Sequence, residues 1–261
     1  MTTTNNILTT SQLSIGYTTK KEVNTIASDI NLSLEKGKLI ALIGANGIGK
    51  STLLRTITGI QNPISGEVFL NGKSISEFDS LSMAQNLSIV LTEKLPPSNL
   101  TVFEIIALGR QPYTNWIGTL TDFDLEKINE AMQLTQITSL ADKKHYEISD
   151  GQLQNVLVAR ALAQDTPLII LDEPTTHLDL LHKVALFKLL KILANETQKC
   201  ILFSTHDIDM AIQISDEMII MTPETVVQDQ PCNFIMKGNF NTLFKDEHIA
   251  FDSEKGKFII R

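Results

Sequence analysis

Several functional classes are excluded by what the sequence lacks. Its 261 residues include only two cysteines, Cys200 and Cys232. Their separation fits no metal-ligand spacing and Cys200 lies inside the apolar run CILFS, so reduced thiols of a cytosolic protein are expected. No run approaches the ~18 apolar residues that a membrane span requires, so any contact with a membrane is expected to pass through a partner. The opening stretch MTTTNNILTT has neither a basic flank nor an apolar core, and is read as a loose tail rather than a signal peptide. Positive charge is also in deficit. With 22 Lys and Arg against 30 Asp and Glu the net charge is −8, no segment concentrates the basic residues, and no nucleic-acid partner is expected. Internal repeats and low-complexity tracts are missing too, which argues for one core rather than a tandem pair.

What is present is enough for a full core, with 43% of residues hydrophobic. The runs KLIALIG, PLIILDEP and CILFSTHD are short, continuously apolar and bounded by turn residues, the character of strands buried on both faces of a parallel sheet. Helices alternate with them. KSTLLRTITG follows the first and stops at Gly59, and LLHKVALFKLLKILANE lies between the other two. The fold class is therefore α/β. Between about residues 93 and 164 the texture changes: TVFEIIALG opens on a capping box of Thr101 and Glu104, and DFDLEKINEAMQL is amphipathic, so a mostly helical insert is expected. From about residue 223 strand-like alternation returns, with HIAFDSEKGKFII reading as a hairpin that turns at SEKG. The expected organisation is a single domain over 1–261, with its core at about 1–92 and 165–222, the helical part at about 93–164 and a β-rich extension at about 223–261.

Two stretches carry chemistry on their own residues. GANGIGKS fits G-x-x-x-x-G-K-[ST] and lies between a buried strand and a helix, where such a loop has to lie. Its glycines let the backbone curl until successive N–H groups point at a phosphate; Lys50 reaches the β- and γ-phosphates, and the Ser51 hydroxyl is offered to Mg²⁺. Gly44, Ala45, Asn46, Gly47, Ile48, Gly49, Lys50, Ser51 and the next residue, Thr52, are the candidate ATP contacts. LIILDEP is an apolar strand ending in two adjacent carboxylates, and uncompensated buried charge is costly. A metal and a polarised water account for both: Asp172 holds Mg²⁺, usually through water, and Glu173 takes a proton from the water that attacks the γ-phosphate. A third stretch, EISDGQLQN, is a Gly-bearing turn opening a helix. Such a turn offers unpaired N–H groups to an anion, although the chain already has a better phosphate cradle.

Taken in order and at their intervals, GANGIGKS, ISDGQ, LDEP, THLD and STHD resemble the ATP-binding cassette ATPases over nearly the whole chain. That resemblance implies a P-loop NTPase core with a mostly parallel sheet, an N-terminal antiparallel β part and an α-helical subdomain. It implies a head-to-tail dimer in which Ser149, Gly151 and Gln152 grip the γ-phosphate held by the neighbouring copy, which gives the third stretch a purpose. By the same resemblance Tyr17 in LSIGY matches the aromatic that stacks on adenine, against the alternative of a core or edge-strand tyrosine. His206 in STHD matches the switch histidine at the γ-phosphate. Asp179 in THLD matches the loop linking the two sites, while His177 and His182 beside it are read as loop and helix-surface residues rather than metal ligands.

The sequence departs from the family pattern in several places. After the strand LSIVL, Thr92 and Glu93 stand where a glutamine that senses Mg²⁺ and the attacking water is usual, so either is a candidate catalytic residue acting through a bridging water. Asp150 replaces a common glycine, Asn155 a frequent basic residue, and Ile48 a small one. The segments NLTVFEIIALGRQPYTNW and GNFNTLFKDEHIAFDSEKGKFII are similar to those of importers of iron-siderophore, haem and cobalamin complexes. The implied partners are a second copy of the chain, transmembrane permease subunits and, indirectly, a substrate-binding protein, with the chain peripheral on the inner face of the cell membrane. Ferric-siderophore is the leading substrate, haem and cobalamin stand beside it, and a non-transport or regulatory cassette ATPase is the alternative from another class.

Overall fold

The apolar runs form the middle of a six-stranded sheet in the computed structural model, which describes residues 5–18, 22–91, 98–176, 178–243 and 249–260. The strand order is Val226–Asp229, Glu217–Met221, Leu39–Ile43, Cys200–Ser204, Leu168–Leu171, Leu87–Val90. Every pairing is parallel except that of the edge strand Val226–Asp229. All residues of Leu39–Ile43, Leu168–Leu171 and Cys200–Ser204 are buried. Successive side chains on a strand point to opposite faces, so Leu39, Ala41, Ile43, Ile169, Leu171, Ile201 and Phe203 join one apolar cluster, and Ile40, Leu42, Leu168, Ile170, Cys200 and Leu202 another. That is why these strands read as unbroken apolar runs.

Each face is covered differently. On one, the helix Lys50–Ile57 supplies Leu53, Leu54 and Ile57, and an antiparallel sheet of Asn6–Thr18, Val23–Ile30, Ser33–Glu35, Ser65–Leu70 and Lys73–Ser74 supplies Ile7, Leu8, Ile15, Ile30 and Val68. On the other lie the helices Val102–Ala107, Asp122–Leu134, Asp150–Ala163 and Leu180–Thr197. Fully burying one Leu or Ile side chain is worth about 1.5–3 kcal/mol, so the doubly covered sheet is the rigid base of the molecule. Among the described residues no helix is long and apolar enough to cross a membrane.

Three of the helices start on reciprocal caps. Thr101 with Glu104 forms the expected capping box, and Thr121 with Asp124 and Ser149 with Gln152 repeat it. The helix Asp150–Ala163 is further anchored by Arg110, which is fully buried. Its Nε donates to Asp124 at 2.8 Å and its Nη1 to the Ala163 carbonyl at 2.8 Å, while the guanidinium lies 4.0 Å from the Tyr113 ring centre. Beside it, a Cβ on Gly109 would fall 2.3 Å from the Arg160 carbonyl oxygen, so only glycine lets the two backbones meet there.

Beyond residue 222 strands alternate with a short helix that the sequence reading did not foresee. The hairpin is present, as Ile249–Asp252 paired with Lys257–Ile260, but a helix Pro231–Lys237 and a 3₁₀ turn Asn239–Thr242 precede it. Pro231 starts the helix and Gly238, at φ +71°, ends it. Phe234 and Phe240 are completely buried, and Phe240 stacks on Phe251 of the hairpin at 4.6 Å. A lone hairpin is marginal in water; this aromatic cluster holds it.

Candidate functional site

The phosphate-loop residues and the candidate metal and water residues that the structure describes lie just beyond the carboxyl ends of parallel strands. Gly44 to Ser51 follow Leu39–Ile43, Asp172 and Glu173 follow Leu168–Leu171, and His206 lies just past Cys200–Ser204. Open α/β sheets place their ligands at this edge. Thr92, Glu93 and His177 lie outside the described residues.

The loop's glycines answer to packing and to approach. A Cβ on Gly44 would sit 2.6 Å from the Met221 carbonyl oxygen, and one on Gly49, at φ +113°, 2.5 Å from Ile26 Cγ2. Gly47, at φ +75°, has open space around it, as a cradle for an incoming group needs. Ala45 is half-buried and Asn46 exposed, whereas Ile48 turns inward and packs on the antiparallel-sheet cluster. That packing accounts for a large residue in the loop. No side chain caps the helix Lys50–Ile57, so its first N–H groups remain available to an anion. Ser51 is exposed beside them, and the buried Thr52 hydroxyl is 2.9 Å from the phenol oxygen of the half-exposed Tyr17. Tyr17 is thus tethered to the loop's helix rather than buried in a core.

Lys50 is buried, and its Nζ donates to the carbonyls of Gly44 at 2.9 Å and Ala45 at 3.3 Å. Burial pushes its pKa below the ordinary lysine value, against the pull of Glu173 and Asp172. The ammonium lies 3.9 Å from Glu173, and Glu173 lies 3.9 Å from His206 Nδ1. Lys50, Asp172, Glu173 and His206 are therefore gathered into one cluster.

Ser204 organises that cluster, and sequence reading missed it. Its buried hydroxyl donates to Asp172 Oδ1 at 2.6 Å and accepts the Glu173 N–H at 2.8 Å. Glu173 holds φ +47°, an unfavourable backbone region for a residue with a side chain, and this bond fixes it there. Thr176 donates to the Glu173 carboxylate at 3.3 Å. A hydroxyl ending an otherwise apolar strand, CILFS, was the only signal. Asp207, equally unforeseen, accepts from Thr175 and from Lys183, each at 2.9 Å, and ties the segment after His206 to the helix Leu180–Thr197.

Ser149, Gly151 and Gln152 stand elsewhere, at the start of the helix Asp150–Ala163. The Ser149 N–H donates to Gln152 Oε1 at 3.0 Å and the Gln152 N–H to Ser149 Oγ at 3.3 Å. Gly151 abuts His182, and Asp179 caps the helix that carries His182 by accepting its N–H at 2.9 Å. These four residues are joined to one another and to His182 rather than to the Lys50 cluster.

Residues 27–176 match the ABC transporter family. The chain is 40% identical over 224 residues to the iron(3+)-hydroxamate import ATP-binding protein of Bacillus subtilis, covering 86% of this chain and 82% of that one. It is 37% identical over 256 residues to an ABC transporter ATP-binding protein of Methanocaldococcus jannaschii, covering 98% and 87%. Among solved structures, an ABC transporter described as of metal-chelate type, in an inward-facing conformation, superposes with a TM-score of 0.80 at 28% identity, covering 98% of this chain and 96% of that one. With the ordered motifs and the strand-edge cluster in place, the chain belongs to the ABC transporter family, as an ATP-binding cassette.

Proposed function

We propose that the chain is the ATP-hydrolysing subunit of an importer for iron chelates of the siderophore class. The observation that carries the reading is the placement of Glu173 at 3.9 Å from both the buried Lys50 ammonium and His206. Lys50 neutralises the β- and γ-phosphates, Gly44 to Gly49 and the N–H groups of Ser51 and Thr52 wrap them, and Tyr17 packs on the adenine. The Ser51 hydroxyl and the free carboxylate oxygen of Asp172 are hard oxygen donors and suit Mg²⁺. Bound there, Mg²⁺ supplies charge neutralisation at the phosphates. Glu173 orients the attacking water and takes its proton, and His206 meets the γ-phosphate. Either Thr92 or Glu93, which lie outside the described residues, stands in for the usual sensor glutamine and acts through a bridging water.

The second phosphate-facing turn finds its purpose in a head-to-tail pair of chains. Ser149, Gly151 and Gln152 of one copy close on the γ-phosphate held by the other, and Asp179 links the two sites. Hydrolysis removes the bridge and reopens the pair. The exposed apolar side chains Leu108, Tyr113, Trp116 and Ile117 support a docking face for permease subunits in the membrane, and the hydroxamate-importing relative supports the substrate class. Glu173→Gln is expected to trap an ATP-loaded dimer with little turnover; size-exclusion chromatography showing only monomers with ATP and Mg²⁺ would refute the mechanism. Uptake of radiolabelled ferric hydroxamate that survives deletion of the chain would refute the substrate.

A further inference from the structure

His182 has no place in the nucleotide cluster, yet it is bonded twice to Asp179. It lies in the first turn of the helix Leu180–Thr197, where its backbone N–H donates to Asp179 Oδ1 at 2.9 Å and its ring Nδ1 is 2.8 Å from the same oxygen. The double contact aims the ring at the start of another helix. A Cβ built on Gly151 would lie 2.5 Å from His182 Cδ2 and 3.0 Å from its Cγ. Gly151 is not among the residues with positive φ, so its backbone conformation alone would accept alanine. The ring is what demands a glycine in this chain. Two segments of different helices, the turn at 149–152 and the loop ending at Asp179, are thereby joined through one imidazole.

We propose that His182 is a positioning residue that locks the turn at 149–152 to Asp179, so that both segments meet a second copy of the chain as one rigid body. The inference rests on the head-to-tail assembly proposed above. Without the imidazole, turn and loop move independently, and a partner has to order them separately, which raises the cost of association. His182 does not contact its own phosphate loop in this arrangement, so nucleotide capture by the single chain is independent of it.

The test is a double-mutant cycle on the full chain, with Gly151→Ala, His182→Ala and the pair. His182→Ala keeps the backbone N–H that caps the helix at Asp179, so the fold is retained. Its kcat is expected to fall about tenfold, and its Glu173→Gln background to need more ATP for dimerisation. Binding of a fluorescent ATP analogue to the dilute single chain is expected to stay at the wild-type level, which a general structural defect would not allow. Gly151→Ala forces a methyl against the ring, and adding His182→Ala is expected to raise the melting temperature above that of Gly151→Ala alone, since the clash is relieved. Wild-type turnover in His182→Ala, or equal melting of Gly151→Ala and the pair, overturns the inference while leaving the function intact. A wild-type chain that neither hydrolyses ATP nor dimerises overturns both.

Discussion

Replacing Ser204 by alanine tests whether Asp172 and Glu173, the proposed metal-binding and catalytic carboxylates, are held from behind. The hydroxyl makes a 2.6 Å bond to the Asp172 carboxylate and receives a 2.8 Å bond from the Glu173 N–H, in a fully buried position. A hydrogen bond to a charged group is worth about 1.5–3 kcal/mol, and an orphaned buried N–H costs about 1–3 kcal/mol. Because Glu173 is partly exposed, water recovers some of this, and a net loss of about 2–4 kcal/mol is expected. For a chain of this size that lowers the melting temperature by roughly 5–15 °C. Glu173 would also relax from φ +47°, a conformation costing of order 1–2 kcal/mol, and its carboxylate would leave the line between Lys50 and His206. Turnover is expected to fall about 10–100-fold, the usual cost of removing a group that orients a ligand. KM for ATP should change little, since Lys50 and the loop do the binding. Calorimetry and steady-state phosphate release read both effects. A Ser204→Ala protein that melts with the wild type and keeps its kcat would show that the hydroxyl positions nothing.

Other perturbations separate binding from scaffold. Lys50→Ala removes the cation facing the phosphates, and ATP affinity by titration is expected to drop about 10–100-fold. Burial lowers the Lys50 pKa in the fold, so between that value and the ordinary 10.5 the unfolded chain binds more protons. Wild-type stability should therefore gain on alkalinisation through this window, and Lys50→Ala should lose that gain; parallel pH melts of the two would contradict it. Tyr17→Phe gives up the Thr52 bond but keeps the ring, whereas Tyr17→Ala loses the stacking face: about tenfold weaker ATP binding is expected for Ala and near-wild-type binding for Phe, and equal losses would rule out stacking. Arg110→Ala strands Asp124 in the interior, and urea unfolding should report a loss of about 3–5 kcal/mol, with partial recovery on adding Asp124→Ala; a loss below about 1 kcal/mol would mean the pair is not structural.

What could be read from sequence depended on how local its cause is. The strands that carry the loop, Asp172 and His206 were legible because burial on both faces leaves an unbroken apolar run, and Gly59, at φ +73°, ended the helix as its sequence position implied. The strands of the antiparallel part were not readable individually. Val23–Ile30 is mostly exposed, and Asn6–Thr18 pairs with Val23–Ile30 and Ser65–Leu70 through shifts of register that blur any period of two. The helix Pro231–Lys237, only 7 residues long, is shorter than the window in which helical periodicity declares itself. Arg110 and Asp124 are each ordinary on their own element; nothing local says that the guanidinium will be enclosed. Ser204 was absorbed into an apolar run, although a hydroxyl at its last position was the clue to the carboxylates opposite.

The start of the helix Leu180–Thr197 joins more of the structure than its surface position suggests. Asp179 caps it, His182 leans from it onto Gly151, and Lys183, the next residue, grips Asp207 beside His206. Asp207 in turn holds Thr175, which follows Glu173 by two positions. One helical turn thus touches both the segment that follows His206 and the turn at 149–152, which in the proposed assembly meets a second copy. The Lys183–Asp207 and Thr175–Asp207 contacts are short and partly buried, so a displacement of the segment after His206 would be felt at the helix start. In the proposed cycle, loss of a γ-phosphate contact at His206 would reach the residues that hold the two chains together through Asp207 and Lys183.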